Sequence, residues 1–269
     1  MNWRRVKALM RKDIGEVLSS KLTLTPLIVV PLVLCVLLPV GLMLVGFLLD
    51  VALIQGAQFL EKVIPLYPVP DVLQNTTHRM LFIFFNYTFV PFFMIVPLMV
   101  SSLIAANSVV GEKERGTLET LLYTPISNRE LIVGKLLGSF LPAVVVSSAA
   151  FVLYLFIGNA VSLSMIGFMI IRSPIWIPAM LLLSPATSLL GLSLTLLVSI
   201  KSKTYVEAQQ ISGVIVLPII VLVVIQMTGV LVFSSIYVVA FSVLLLIVSY
   251  VIFGRVGPKF SRESILNTL

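Results

Sequence analysis

Six apolar stretches, at about 26–49, 82–106, 131–157, 175–200, 211–232 and 236–254, limit what this chain can become. Each meets the roughly 20 residues a helix needs to cross the hydrocarbon core of a bilayer. Of the 269 residues, 59% are hydrophobic and 11% charged, with a mean hydropathy of +1.15. Soluble proteins lie near 45–50% and 25%. No hydrophilic block exceeds roughly 30 residues, too few to bury an independent core. The expected fold class is an all-α integral membrane protein: a single transmembrane domain over 1–269 with six transmembrane helices.

Six spans put both ends on one side of the membrane. Of the 18 Lys and Arg residues, all but Lys62, Arg79 and Arg172 fall before the first stretch, within 107–135, at Lys201 and Lys203, or after the last stretch. An excess of basic residues marks the cytoplasmic side, so both termini and a loop over 107–130 are expected there. Topology thus accounts for the net charge of +7, and no nucleic-acid partner is expected. The lone Cys35 lies in an apolar run, with no disulfide framework or metal spacing around it. The first apolar run is longer than the 7–15 residues of a signal h-region and is expected to stay as a span.

Residues 1–24 read as an amphipathic interfacial helix. Trp3, Val6, Met10, Ile14 and Val17 recur at helical spacing, with Arg4, Arg5, Lys7, Arg11 and Lys12 on the remaining surface. Such a basic face suits an inner leaflet with anionic lipids. An extracytoplasmic loop is expected over 50–78, broken by Pro65, Pro68 and Pro70, with short interfacial helices around Gln55–Val63. The short, mildly polar link around Gln226–Ser235 is compatible with a fifth span that turns back part way.

Charge concentrates between the second and third stretches. Gly111 and Gly116 bracket Glu112-Lys113-Glu114-Arg115, and glycine at both ends lets the chain turn without steric cost. A short helix is expected from Thr117 as N-cap, with Glu119 in its first turn and Leu118, Leu121 and Leu122 on one face. Pro125 ends it. Ser127-Asn128-Arg129-Glu130 fits a capping box that starts the third span. Held between two transmembrane helices, this segment would pass a push to both.

The run Gly-Glu-Lys-Glu-Arg-Gly-Thr-Leu-Glu-Thr-Leu-Leu over 111–122, followed by Thr-Pro-Ile-Ser-Asn-Arg-Glu and Gly134-Lys135, resembles the signature of ABC-2 type transporter permeases. The six-span layout and the amphipathic start extend the resemblance over essentially the whole chain. It implies a membrane subunit of an ATP-binding cassette exporter in the cell (plasma or inner) membrane. Two ATP-binding subunits would carry ATP and Mg, this chain would hold no cofactor, and a second permease would complete a homodimer or heterodimer among membrane lipids. In that reading the loop is a coupling helix, and Glu112, Glu114, Arg115, Gly116, Thr117, Leu118, Glu119, Leu121 and Leu122 dock on the ATPase. Lys201, Lys203 and Glu207 would be a secondary cytoplasmic contact. The modest first outer loop resembles compact exporter-type members, whose cargo would be a lipid, a hydrophobic drug or peptide, or an ion.

What the spans lack points the same way. They hold almost no ionisable side chain, whereas ion-driven carriers place such groups in the membrane. Gly-x-x-x-x-Gly-Lys-Ser/Thr is absent, so the chain is not expected to hydrolyse ATP itself. His78 is the one histidine, at the outer edge of the second span, and makes no metal site by itself. Asn86, Tyr87, Thr187 and Gln226 are candidates for lining a path, although polar side chains in spans commonly bond helix backbone instead. An ATPase-independent channel or carrier is the alternative reading.

Overall fold

A computed structural model describes residues 1–48, 64–117, 126–199, 201–227 and 234–256. Six helices in it are long and apolar enough to cross a membrane, and there is no strand among the described residues. Helix α1, Trp3–Ser19, opens on Asn2, whose side chain accepts a hydrogen bond from the Arg4 N–H. Extended backbone at Ser20 separates it from α2, Lys21–Leu48. The remaining elements are α3, Thr76–Glu114; α4, Asn128–Ile166; α5, Trp176–Ser199; α6, Tyr205–Gly213; α7, Val216–Met227; and α8, Ser235–Val256.

Helices α3 and α4 overrun at both ends the apolar stretches read from the sequence. At about 1.5 Å per residue, the 39 residues of α3 extend well beyond a hydrocarbon core about 30 Å thick. It begins inside the expected outer loop and continues through Gly111 to Glu114. Gly111 therefore does not turn the chain. The turn is made at Gly116, whose φ of +68° is left-handed and favours glycine. The fifth span starts earlier than expected, at Tyr205, and passes through a turn at Val214 and Ile215 before running on to Met227. Residues 228–233, on which the turning-back expectation falls, lie outside the described residues, as do Gln55–Val63.

α3 is the central helix. Its most apolar window is 83% buried, against 22% for α2, for α6 with α7, and for α8. Lipid is as apolar as leucine, so what brings such helices together is close packing and hydrogen bonds. Gly191 on α5 illustrates the first, since a Cβ there would stand 2.6 Å from the Leu98 carbonyl oxygen of α3. Ser147 of α4 and Ser184 of α5 illustrate the second, their hydroxyl oxygens 2.8 Å apart.

Among the described residues, four five-residue π-helical turns, at Val33–Leu37, Phe84–Thr88, Asn107–Gly111 and Ala179–Leu183, interrupt the spans. A π turn disturbs the backbone ladder, and partners from other helices appear beside the one at 84–88. The Tyr154 hydroxyl of α4 donates to the Phe85 carbonyl at 2.7 Å. Pro91 lacks the N–H that would bond the Tyr87 carbonyl, and Gln226 Nε2 of α7 donates to that oxygen at 2.7 Å. Phe89, Tyr154, Trp176, Phe93 and Phe151 pack ring against ring around this point.

Candidate functional site

The charged end of α3 forms a four-helix junction. Glu112 is fully buried and sits between two ammonium groups: Lys12 of α1 pairs with Oε1, and Lys135 of α4 with Oε2 at 2.7 Å. Lys135 Nζ also donates to the Ser108 hydroxyl at 3.0 Å and to the Ser108 carbonyl. That hydroxyl in turn donates to Asp13 Oδ2 of α1 at 2.6 Å. Buried Glu112, Asp13 and Lys135 thus meet a half-exposed Lys12, so that the buried charges have opposite charges beside them, as burial of charge requires.

Burial is also the main influence on the Asp13 carboxyl, which it pushes above its ordinary value against the opposing pull of Lys135 and Ser108. For Lys12, burial acts downward, but the hydrogen bonds and charges of Glu112 and Glu16 outweigh it and the ammonium is held above its ordinary value.

α1 reaches this junction because two glycines of α4 let it in. A Cβ at Gly134 would lie 2.9 Å from Leu9 Cβ, and one at Gly138 would lie 3.3 Å from Asp13 Cβ. Four residues apart, they share one helix face. The face α1 buries carries Val6, Leu9, Asp13 and Val17. This differs from the stripe read from the sequence: Trp3 is 56% exposed, and Asp13 lies among the apolar residues because polar partners wait for it.

A second tie joins the same helices. The capping box at the start of α4 forms as the sequence predicts, with the Ser127 hydroxyl accepting from the Glu130 N–H at 3.3 Å and Glu130 Oε2 from the Ser127 N–H at 3.0 Å. Glu130 does more than that motif requires. Its Oε1 accepts from the Asn2 N–H at 2.6 Å, and Oε2 lies 3.7 Å from Arg5, so one carboxylate anchors the starts of both α1 and α4.

Beyond Glu112 the chain turns outward. Glu114 Oε2 accepts from the Tyr205 N–H at 2.9 Å, setting a carboxylate at the N-terminus of α6, where the helix dipole favours it. Thr204 caps the same helix, and Glu207 Oε2 accepts from the Lys203 N–H at 2.8 Å. Arg115 reaches Glu16 at 3.4 Å and Asn107 at 3.5 Å. Thr117 donates to the Glu112 carbonyl at 3.3 Å. Arg115, Gly116 and Thr117 are exposed, as are Lys201, Lys203 and Glu207. Leu118, Glu119, Leu121 and Leu122, with Pro125, lie outside the described residues.

The path-lining candidates are all buried within the single chain. Asn86 donates to Phe82 and Ile170 carbonyls and accepts from the Arg172 and Ser173 N–H groups. Thr187 bonds carbonyls of its own helix, and Gln226 holds Tyr87 while its Oε1 has no hydrogen-bond partner among the described residues. His78 packs edge-on against Phe47, ring centres 5.9 Å apart.

The arrangement defines a polytopic helical membrane protein whose charge is gathered at the root of one loop. A family model described as ABC-2 family transporter protein matches residues 7–235, most of the chain, including that loop. The chain belongs to this family, whose members are membrane subunits that associate with an ATP-binding subunit and are not themselves the ATPase. No curated protein matches the chain.

Proposed function

We propose that this chain is the permease subunit of an ABC-2 type ATP-driven exporter, moved by a separate ATP-binding subunit that docks on the loop after α3. The observation that carries the reading is the root of that loop: within Glu112–Arg115, side chains tie α3 to α1, α4 and α6 together. Force applied to the loop at this root reaches four helices without slack. Arg115, Gly116 and Thr117, with Leu118, Glu119, Leu121 and Leu122, form the docking surface, and Lys201, Lys203 and Glu207 stand beside it. Buried Glu112 acts from behind that surface as a positioning residue, and Glu114, exposed and bonded to the Tyr205 N–H, belongs to the surface itself. Two permeases, identical or related, work with two ATPases in a cytoplasmic membrane and move a lipid, a hydrophobic drug or peptide, or an ion outward.

The test is co-purification of an ATP-binding subunit with the solubilised chain. Wild type and Glu112→Gln should retain the ATPase, and Thr117→Arg/Leu118→Arg should lose it. Glu112→Gln should retain binding while losing the stimulation of ATP hydrolysis by cargo. Finding no ATP-binding partner with the wild type would sink the proposal and favour an ATPase-independent channel or carrier.

A further inference from the structure

At the end of the bundle opposite the charged junction, the link between α4 and α5 is drawn in against the helices. Asn86 and Asn159 pin it: Asn86 Oδ1 accepts from the Arg172 and Ser173 N–H groups at 3.1 and 2.8 Å, while Asn159 exchanges two hydrogen bonds with the Ile171 backbone. The backbone carrying Arg172 is therefore fixed, yet its side chain is exposed. The guanidinium lies 5.5 Å from the Phe168 ring centre and makes no ion pair among the described residues.

Beneath it lies a cavity of about 520 Å³, lined by Phe151 and Leu155 of α4 and by Trp176, Met180 and Leu181 of α5, with Arg172 at its rim. Its volume is that of a small-molecule site. Ile177 and Leu181, 63% and 67% exposed, open it sideways toward lipid and away from the bundle centre. Its depth also fits lipid. Leu155 stands 20 residues beyond Lys135 on α4, about 30 Å along the helix, the thickness of the hydrocarbon core. The cavity therefore sits where acyl chains meet headgroups, with a rigidly mounted cation at its polar rim that has no ion-pair partner among the described residues.

We propose that this groove binds an anionic phospholipid, its phosphate paired with Arg172 and its acyl chain lying over Leu155, Trp176 and Leu181. Arginine suits phosphate because its planar fork can donate two parallel hydrogen bonds. Apart from Ser173, whose hydroxyl lies 3.4 Å from that of Tyr87, the remaining lining is apolar and accepts a chain. The site stands on this chain alone and needs no ATP-binding partner.

The chain has two tryptophans, Trp3 and Trp176, so Trp3→Phe leaves one reporter, inside the groove. The full chain is reconstituted in phosphatidylcholine vesicles containing equal mole fractions of either bromine-labelled-chain phosphatidylglycerol or bromine-labelled-chain phosphatidylcholine. Trp176 fluorescence should be quenched more strongly by the anionic lipid. Arg172→Gln should abolish the difference, and Arg79→Gln, at the same end of the bundle, should leave it intact. Equal quenching by the two lipids with Arg172 present would overturn the site. So would a preference that survives Arg172→Gln or disappears equally in Arg79→Gln. Inorganic phosphate in excess should not remove the preference at constant ionic strength; if it does, the rim is a free-anion site and the lipid assignment is wrong.

Discussion

At one end of α3, Glu112 lies between two ammonium groups; at the other, Asn86, a neutral amide, makes four hydrogen bonds to backbone. Both side chains are fully buried, and both tie elements distant in sequence to the same helix. They differ in what else their partners can do. The four bonds of Asn86 all go to main-chain groups, which move only with the elements that carry them. Lys12 also reaches Glu16 at 3.2 Å, and Arg115 reaches both Glu16 and Asn107. Charges at the outer side of this junction have more than one partner within reach. A junction of that kind can shift as a unit, and it lies where the proposed docking loop begins.

The sharpest way to break the contrast is Glu112→Ala, which removes the carboxylate paired directly with Lys135, only 5% exposed, and leaves it facing Asp13 through the Ser108 hydroxyl. Removing one partner of a buried pair costs about 3–5 kcal/mol, and the thermal midpoint of the solubilised chain should fall accordingly. The double variant Glu112→Leu/Lys135→Met should recover most of that loss, since well-packed apolar replacements of buried pairs are often neutral or stabilising. It should not recover cargo-stimulated ATP hydrolysis. Full recovery of both would show that the charges only fill space.

At the neutral end, Asn159→Leu orphans the N–H and carbonyl of Ile171, at about 1–3 kcal/mol for each group left buried and unsatisfied. Protease accessibility of the 167–175 link should rise, with ATPase binding unaffected. Gly134→Val tests the close approach of α1, because its side chain would enter space held by Leu9. Overpacking of this sort costs about 1–3 kcal/mol, and cross-linking between cysteines placed on α1 and α4 should weaken.

The smallest effect concerns pH. Because the Asp13 carboxyl is raised, the folded chain binds its proton more tightly than the unfolded chain does. That contribution is complete below the ordinary value of 3.8 and is lost as pH rises through the raised value. Asp13→Asn should therefore flatten the pH dependence of the thermal midpoint over that window, while Asn159→Leu leaves it unchanged.

The spans were legible because hydropathy is a sum over twenty residues and tolerates error at either end. The Ser127/Glu130 cap was legible because its hydrogen bonds close within four residues. Glu112 stood out as charged, but its partners did not, since Lys12 lies 100 residues away and reads locally as one more cation on a basic face. Asp13 and Ser108 gave no signal of their own. Gly134 and Gly138 carried the available clue, a small-residue pair at helical spacing beside a lysine. Gly111 misled for a physical reason: it was read as conformational freedom, but its φ is −62°. A Cβ there would stand 2.9 Å from Asn107 Oδ1 and 3.2 Å from an Arg115 nitrogen, so what matters at this position is the missing side chain.

The π turn at Asn107–Gly111 immediately precedes Glu112. Such a turn holds one residue more than the α-helix it replaces, and each residue rotates an α-helix by about 100°. Deleting a single residue there would let the helix close up regularly while the spans kept their length and composition. Glu112 would then point about a quarter-turn away from Lys12 and Lys135, and the loop would leave the bundle in a different direction. The π turn thus acts as a phase setter, and a one-residue insertion or deletion there would re-aim the proposed docking loop.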